Sequence, residues 1–233
     1  MTTQIASVSE IFSSLQGEGT RMGERHLFVR FEKCNIHCDY CDELEKPGSD
    51  FDLESVLESI LSLERQKGPH SYVSLTGGEP LVYRSFLKSL LPQLKQKGFK
   101  TYLETNGILW QALRDVLEWV DVVAMDVKPS SVTKEASYME SHRAFLKIAL
   151  PKEVFIKMVC SKEIDLGEFK DLCLMIGQVC RDVPLLLQPV STTVEGFQDA
   201  ELMTLLGELQ SIGLGILSDV RIVPRLHKIL NIR

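Results

Sequence analysis

The sequence predicts an α/β fold in which parallel strands and helices alternate as a partial (β/α)6 barrel with an extra N-terminal strand. The first observation is that short apolar runs alternate with amphipathic segments through the 233 residues. Short connections between such segments are typical of a parallel sheet with helical crossovers. The second is that unusual polar residues follow the predicted strands, at the edge where parallel barrels and sheets bind ligands. A doubly wound open sheet is the structural alternative, because periodicity alone does not separate the two arrangements.

The predicted elements follow one another with few interruptions. An N-terminal strand at residues 8–15 leads into a Gln-Gly-Glu-Gly segment at 16–19. The later strands are runs rich in β-branched and aromatic residues, predicted at 26–31, 72–75, 100–103, 120–125, 154–159, 185–188 and 219–223. The helices are segments with apolar residues at helical spacing, predicted at 53–65, 85–97, 110–118, 135–149, 168–179, 199–212 and 226–230.

Composition is that of an ordinary globular protein. Hydrophobic residues make up 44% of the chain and charged residues 25%, which is enough for a sizeable core. No linker rich in Pro, Gly or Ser divides the sequence. We therefore expect residues 1–233 to form a single domain, with an N-terminal segment at 1–25 and the partial barrel at 26–233. The net charge of −6 disfavours binding of nucleic acid by a basic surface.

The expected location is the cytoplasm. The sequence contains no run of about 18 apolar residues that would indicate a membrane span. Its first residues lack the charged and apolar regions of a secretory signal. Thiols stay reduced in the cytoplasm. The six cysteines therefore indicate metal binding and buried thiols rather than disulfides.

Three cysteines form the most informative motif. Cys34, Cys38 and Cys41 have a C-x3-C-x2-C spacing that fits one tight loop. Three thiolates are one short of the four that close a [4Fe–4S] cluster or a structural zinc site. A cluster held by three cysteines leaves its fourth iron open to an outside ligand, which implies chemistry. A zinc site completed by His37 and a redox pair of Cys38 and Cys41 are the alternatives.

Polar residues after the later strands form the candidate binding edge. Gly77 and Gly78 would let the backbone approach a ligand closely, and the Glu79 carboxylate can accept a hydrogen bond from an ammonium group. Further along the chain this edge contains Thr105, Asn106, Asp126, Lys128 and Gln188. Lys157 lies in a strand between apolar neighbours, and its position is equally compatible with the site and with solvent.

The motifs around these residues resemble those of the radical S-adenosylmethionine (SAM) superfamily. The cysteine spacing and the Gly-Gly-Glu-Pro segment at 77–80 carry this likeness. A narrower resemblance is to the 7-carboxy-7-deazaguanine synthase (QueE) family. It extends over nearly the whole chain, includes the tail with Pro224, His227 and Lys228, and is most specific in the segment 10–19.

The resemblance implies a partial radical SAM barrel and a set of cofactors. Cys34, Cys38 and Cys41 would bind a [4Fe–4S] cluster whose open iron takes SAM. SAM would lie against Gly77, Gly78, Glu79, Thr105, Asn106, Asp126, Lys128 and Gln188. The family also uses Mg²⁺ and associates it with a threonine where this chain has Glu43. Because a carboxylate is a good ligand for a hard cation, we expect Glu43 or Asp42 to bind the ion.

The resemblance also implies a reaction. The substrate would be 6-carboxy-5,6,7,8-tetrahydropterin, converted to 7-carboxy-7-deazaguanine with loss of ammonia for the biosynthesis of queuosine and related deazapurines. The expected substrate contacts are Gln16, Gly17, Glu18, Arg30 and His227. The family is dimeric, so we expect a homodimer that receives electrons from a flavodoxin- or ferredoxin-like donor.

Two other functions remain as alternatives. One is a related radical SAM enzyme, such as an activase that takes hydrogen from a glycine of another protein. That enzyme would make little use of Gln16, Glu18 and Arg30. The other is a non-catalytic zinc-binding module built on the three cysteines.

Overall fold

One sheet runs through the structure, a computed structural model that describes residues 4–39, 41, 47–190 and 199–232. Within these ranges the sheet has nine strands. Their bounds are β1 (Ile5–Leu15), β2 (Arg25–Phe31), β3 (Ser49–Asp52), β4 (Tyr72–Gly77), β5 (Thr101–Thr105), β6 (Val122–Asp126), β7 (Glu153–Cys160), β8 (Leu185–Pro189) and β9 (Val220–Ile222).

Helices follow most of the parallel strands. Their bounds are α1 (Leu53–Lys67), α2 (Arg84–Gln96), α3 (Trp110–Val116), α4 (Ser130–Thr133), α5 (Met139–Ala149), α6 (Leu166–Val179), α7 (Ala200–Leu214) and α8 (Leu226–Ile229). Asp52, Asp165 and Asp199 precede α1, α6 and α7, and each accepts a backbone N–H of the first turn that the helix leaves unpaired. Among the described residues, no helix has both the length and the apolar character needed to cross a bilayer.

The strand order separates the two arrangements that periodicity left open. The sheet has the order β3-β1-β2-β4-β5-β6-β7-β8-β9, and the strands from β2 to β9, apart from β3, pair in parallel in chain order. A doubly wound sheet reverses its order at a switch point, and this order does not reverse. In the described part of the chain β3 and β9 end the series, so the sheet is open. The partial barrel is confirmed, and the doubly wound alternative is wrong.

The two faces of the sheet bury different residues. Alternate strand residues point to opposite faces, and on one face they join the helices in a large core with Leu75, Leu103, Met125, Met158 and Leu187. The other face has a smaller apolar layer of Tyr72, Tyr102, Val122, Ala124, Phe155 and Leu186. Further towards the carboxyl ends of the strands, this second face becomes polar, and the candidate site lies there.

The N-terminal strand is confirmed and begins earlier than expected, because β1 starts at Ile5 and pairs antiparallel with β2. The sequence did not predict β3. Its four residues, Ser-Asp-Phe-Asp, show no regular apolar alternation. The strand forms by antiparallel pairing with residues 5–8 of β1, a contact between distant parts of the chain.

The helix predicted at 135–149 begins later, at Met139, and the short α4 precedes it. Lys134 ends α4 with a left-handed φ of 60°, a conformation that commonly stops a helix. The chain turns there before α5 begins. Glu135, which was expected to be helical, lies in this turn and contacts the cysteine loop.

Candidate active site

A cavity of about 660 Å³ lies at the carboxyl ends of the parallel strands. Polar residues from six different strands line it: Arg30, Thr76, Glu104, Asp126, Lys157 and Gln188. The segment after β1, the cysteine loop after β2 and the chain around the start of α8 supply other walls. Polar side chains from separate segments thus meet at one edge, as the sequence predicts.

The three cysteines line this cavity together. Cys38 is buried, whereas Cys34 and Cys41 are exposed, and the Cys41 N–H donates to the Cys38 carbonyl at 3.0 Å. Burial raises the pKa of Cys38 to about 11, and partial desolvation of the Cys34 sulfur raises the pKa of that thiol, while the nearby Lys128 acts to lower both. Metal binding would remove these protons, because a coordinating thiol is deprotonated outright.

The described residues contain no group of three or more His, Cys, Asp and Glu side chains placed to hold one metal ion. A [4Fe–4S] cluster does not need such a group, because each of its thiolates binds a different iron. Asp42 and Glu43, the expected Mg²⁺ ligands, lie outside the described residues.

Asn106 joins the cysteine loop to the end of β5. Its side-chain amide donates to Asn35 Oδ1 at 2.8 Å and lies 3.9 Å from the Cys34 sulfur. Its backbone N–H donates to Glu79 at 2.7 Å, and His142 Nε2 lies 3.1 Å from its carbonyl oxygen. These contacts hold Asn106 from several sides next to the cysteines.

Gly77 and Gly78 line the cavity, and the surrounding backbone requires glycine at both positions. Gly77 has a φ of 115°, which other residues rarely adopt. A methyl group on Gly77 would overlap the Phe31 backbone, and one on Gly78 would overlap the carbonyl groups of Glu32 and Lys33. The sequence predicted that these glycines let the backbone approach a ligand. In the structure they let it approach the backbone that leads into the cysteine loop. The Gly78 N–H donates to the Phe31 carbonyl at 2.8 Å.

Glu79 lies behind the cavity wall and is fully buried. Its carboxylate accepts from Thr105 Oγ1 at 2.9 and 3.0 Å, from the Asn106 N–H at 2.7 Å and from the Leu81 N–H at 3.0 Å. Burial raises the pKa of Glu79 to about 7 despite these hydrogen bonds. The geometry makes Glu79 the support of Thr105 and Asn106, which do line the cavity. Its own contact with SAM stays a prediction.

Two buried oxygens of cavity-lining residues, Asp126 Oδ1 and Gln188 Oε1, have no hydrogen-bond partner among the described residues. Asp126 accepts through its other oxygen from Lys128 Nζ at 2.9 Å, and the Gln188 amide donates to Glu18 at 3.1 Å. A buried acceptor without a donor is costly. A ligand that brings N–H or O–H groups therefore fits here, and SAM carries an amino group at its methionine end and another on its adenine.

Gln16 is buried, and its side chain is engaged within the protein. Nε2 donates to Glu104 at 2.9 Å, and Oε1 accepts from the Glu18 N–H at 3.1 Å. Glu104 also accepts from Thr76 Oγ1 at 3.0 Å. Gln16 thus positions Glu104 and the backbone of Glu18, whereas the sequence suggested an amide edge open to substrate. A direct substrate contact of Gln16 stays a prediction.

Glu18, whose side chain is 16% exposed, is the centre of a largely buried group of charges. It forms an ion pair with Lys157, and Arg225 Nε lies 3.5 Å from its carboxylate. Burial acts to raise the pKa of Glu18, but Lys157 and Arg225 outweigh it and hold that pKa well below its usual range. Burial acts to lower the pKa of Lys157, but Glu18, Asp126 and Glu104 keep it above its usual range. The pair is therefore charged at neutral pH, and Lys157 belongs to the site rather than to a solvent-facing surface.

The C-terminal segment completes the wall around Glu18. The Leu226 N–H donates to the Gly17 carbonyl at 2.8 Å. His227 packs so closely on Gly17 that a methyl group there would overlap its ring. Gly17, Glu18, Arg225 and His227 all line the cavity, so the two ends of the described chain meet at the site.

Arg30 lines the cavity beside a pair of aromatic rings. Phe12 and Phe28 stack with their ring centroids 5.0 Å apart and an interplanar angle of 12°. The Arg30 guanidinium lies 5.6 Å from the Phe12 ring, and Arg30 Nε lies 3.6 Å from Glu10. Both rings also line the cavity. A flat ligand with a carboxylate would find an aromatic surface and a guanidinium side by side.

Sequence reasoning did not name Glu104 and Arg225 as site residues and left Lys157 open. Glu104 and Lys157 are each two positions after an inward-facing aromatic residue, Tyr102 and Phe155. Strand alternation could therefore have placed both on the cavity face. No local pattern singles out Arg225, because its place depends on the contact between the C-terminal segment and Glu18.

The sequence is similar to proteins of known families. The profile of the radical SAM superfamily matches residues 28–173. A 7-carboxy-7-deazaguanine synthase of Geobacter sulfurreducens is 36% identical and covers 97% of each chain. Another, of Methanopyrus kandleri, is 32% identical and covers 97% of this chain and 93% of its own.

The fold is also similar to that of solved structures. The crystal structure of QueE from Escherichia coli matches with a TM-score of 0.62 and 19% identity, over 96% of this chain and 95% of that one. At this identity the match demonstrates a shared fold. The curated sequences carry the more specific likeness.

Proposed function

The chain belongs to the 7-carboxy-7-deazaguanine synthase family of the radical SAM superfamily, and from this membership we propose that it is a lyase of deazapurine biosynthesis. The proposed reaction converts 6-carboxy-5,6,7,8-tetrahydropterin to 7-carboxy-7-deazaguanine with loss of ammonia, towards queuosine. The observation that carries the proposal is that the cysteine motif, which follows β2, and residues 16–18 of the Gln-Gly-Glu-Gly segment, which precede β2, line the same cavity.

Radical SAM proteins use a [4Fe–4S] cluster and SAM, and the cavity lining suits both groups. Cys34, Cys38 and Cys41 would hold the cluster, with the positive charge of Lys128 close to them. SAM would take the polar wall formed by Gly77, Gly78, Thr105, Asn106, Asp126, Lys128 and Gln188, with Glu79 as a further predicted contact behind it. Bound together and supplied with one electron from an external donor, the two groups would provide a 5′-deoxyadenosyl radical for hydrogen abstraction from C6 of the pterin.

The substrate would lie against the wall formed by β1, β2 and the C-terminal segment. Arg30 can bind a carboxylate with two parallel hydrogen bonds, and the stacked pair of Phe12 and Phe28 offers an apolar surface for the pterin ring. Gln16, Gly17 and Glu18 would contact the polar edge of the ring. His227 would cover the substrate from the C-terminal side and reduce its access to water.

The proposal also includes Mg²⁺, an external electron donor and a second copy of the chain. Asp42 and Glu43 directly follow Cys41 in sequence, so an ion bound by either one would lie near the cavity that Cys41 lines. A Glu43→Ala variant should need more Mg²⁺ for the same activity. An unchanged Mg²⁺ dependence would mean that Glu43 does not bind the ion.

The decisive experiment is anaerobic turnover. Protein reconstituted with iron and sulfide is incubated with SAM, a one-electron reductant, Mg²⁺ and 6-carboxytetrahydropterin, and mass spectrometry should detect 7-carboxy-7-deazaguanine.

Arg30→Ala should lose the product while SAM binding remains. Reductive cleavage of SAM without this product in the unsubstituted protein would favour the activase. A colourless protein that binds zinc and takes up no iron or sulfide would exclude both enzymes.

A further inference from the structure

Glu135 makes a contact with the cysteine loop that the proposed reaction leaves unexplained. Its Oε1 accepts a hydrogen bond from the backbone N–H of His37 at 2.8 Å, and His37 directly precedes Cys38 within the loop. Its Oε2 accepts from the Tyr138 hydroxyl at 3.1 Å. Glu135 and the three cysteines line the same cavity. A carboxylate from a distant part of the chain is thus fastened to the loop that would hold the cluster.

The segment that carries Glu135 is itself well anchored. The Lys134 φ of 60° turns the chain at the end of α4, and the Glu135 N–H donates to Thr133 Oγ1 at 3.3 Å. At the other end of α4, Glu168 accepts the backbone N–H of Ser130 at 2.6 Å and that of Ser131 at 2.9 Å. Glu135 therefore reaches the loop from a fixed support.

Tyr138 binds the same carboxylate that accepts from the cysteine loop. Burial raises the pKa of Tyr138, and its hydrogen bond to Glu135 raises it further. Thiolate charges at Cys38 and Cys34, which a bound cluster would require, would act on Tyr138 in the same direction. Glu135, Tyr138 and two of the three cysteines thus form one electrostatic neighbourhood.

We propose that Glu135 is a positioning residue that fastens the cysteine loop through His37 and makes the reduction potential of a cluster bound there more negative. A fixed negative charge opposes the addition of an electron to the cluster. Hydrogen bonds to cluster sulfurs also affect the potential, and Glu135 keeps the His37 N–H from making one. A more negative potential favours electron transfer from the cluster to SAM. The inference depends on the radical SAM cluster and is independent of the pterin substrate.

Two substitutions separate the charge from the hydrogen bond. Glu135→Gln keeps an acceptor for the His37 N–H and removes the charge, so the midpoint potential should become less negative while iron and sulfide contents stay at the level of the unsubstituted protein. Glu135→Ala removes both. It should show a less negative potential and hold iron about 10-fold less tightly against a chelator, as is typical when an outer partner of a metal ligand is lost.

Glu140→Gln is the matched control, because Glu140 lies in the first turn of α5 with its side chain 83% exposed. This variant should keep the potential and the iron retention of the unsubstituted protein. Equal potentials in Glu135→Gln, Glu140→Gln and the unsubstituted protein would refute the effect on potential. Unchanged iron retention in Glu135→Ala would refute the fastening of the loop. Absence of pterin turnover in all the proteins would count against the proposed function and leave both of these measurements intact.

Discussion

Single buried side chains account for much of the site's geometry, and Glu18 with Lys157 is the clearest case. Each ion loses its hydration when buried, a cost that an ion pair repays only with good geometry and further hydrogen bonds. Gln188 donates a hydrogen bond to Glu18, and the Arg225 guanidinium forms a second ion pair with it. The pair also joins the segment after β1 to β7. Its energetic effect should therefore appear in the stability of the fold as well as in the site.

Replacing Lys157 by Met should lower the free energy of unfolding of the cluster-free protein by about 3 kcal/mol, because it leaves Glu18 buried without its closest cation. Urea unfolding measures this change. Lys147→Met, at an exposed position on α5, should stay within about 0.5 kcal/mol of the unsubstituted protein. The double variant Glu18→Gln/Lys157→Met should recover part of the loss. A Lys157→Met protein as stable as the Lys147→Met control would contradict the importance of the pair.

Two buried histidines predict how stability depends on pH. Burial lowers the pKa of both His26 and His142 to about 4, from a usual value of 6.5. Between these two pH values the unfolded chain binds protons that the folded chain does not, so stability falls as the pH drops from 6.5 towards 4. Each histidine should contribute on the order of 3 kcal/mol to this loss. Urea unfolding at several pH values should show that the free energy of unfolding of His142→Gln depends less steeply on pH than that of the unsubstituted protein. The same pH dependence in both proteins would contradict the assignment.

Among the structural elements, the loop after β4 shows how backbone packing positions the cysteines. Gly78 contacts the strand end that enters the cysteine loop, and Glu79 on the same loop supports the turn after β5. The loop thus connects two walls of the cavity. Gly207 in α7 is the opposite case, since a methyl group added there would meet nothing within 4 Å.

Gly78→Ala should destabilise the cluster-free protein by about 2 kcal/mol, because its new methyl group overlaps backbone that has little room to move. Iron uptake should fall with it, since the displaced backbone leads into Cys34. Gly207→Ala should instead stabilise the protein by roughly 0.5 to 1 kcal/mol, the usual preference of a helix for alanine. Thermal unfolding and iron analysis test both variants. Equal stability and iron content of the two variants would show that the close packing around Gly78 limits neither folding nor iron uptake.

Across the entire fold, the ordered parallel strands bring their polar ends to one edge, and the two ends of the described chain close one side of it. The C-terminal segment contacts the segment after β1 through Arg225, Leu226 and His227. The cysteine loop receives its contacts from elsewhere, through Asn106 and Glu135. The substrate end and the cluster end of the cavity should therefore respond separately to changes in the chain.

Deleting residues 225–233 should weaken binding of 6-carboxytetrahydropterin by at least about 10-fold, which corresponds to 1.4 kcal/mol, because the wall containing Arg225 and His227 is lost. Iron content and SAM binding should be retained. Calorimetry and iron analysis measure these quantities, and circular dichroism shows whether the shortened chain is folded. A deletion of 231–233 alone serves as the control. If a folded 225–233 deletion binds the pterin normally, the C-terminal segment has no role in substrate binding.

Sequence periodicity was sufficient for most strands and helices of the barrel, for the existence of the N-terminal strand and for the edge at which polar residues meet. Alternation with a period of two assigns strand residues to faces, and helical spacing assigns buried stripes, so both can be read within a short window. The cysteine spacing is equally local, because Cys34, Cys38 and Cys41 lie within one loop.

Tertiary structure decided which polar groups face the cavity and which support it. Glu79 and Gln16 form hydrogen bonds with other residues of the protein, whereas Lys157 is a buried ion-pair partner of Glu18. The pairing of β3 with β1 and the position of Arg225 beside Glu18 were also decided by the tertiary structure. Each depends on strand register and on contacts between residues far apart in the chain. The cost of burying a charge or a polar group without a partner selects those contacts, and no local pattern records them.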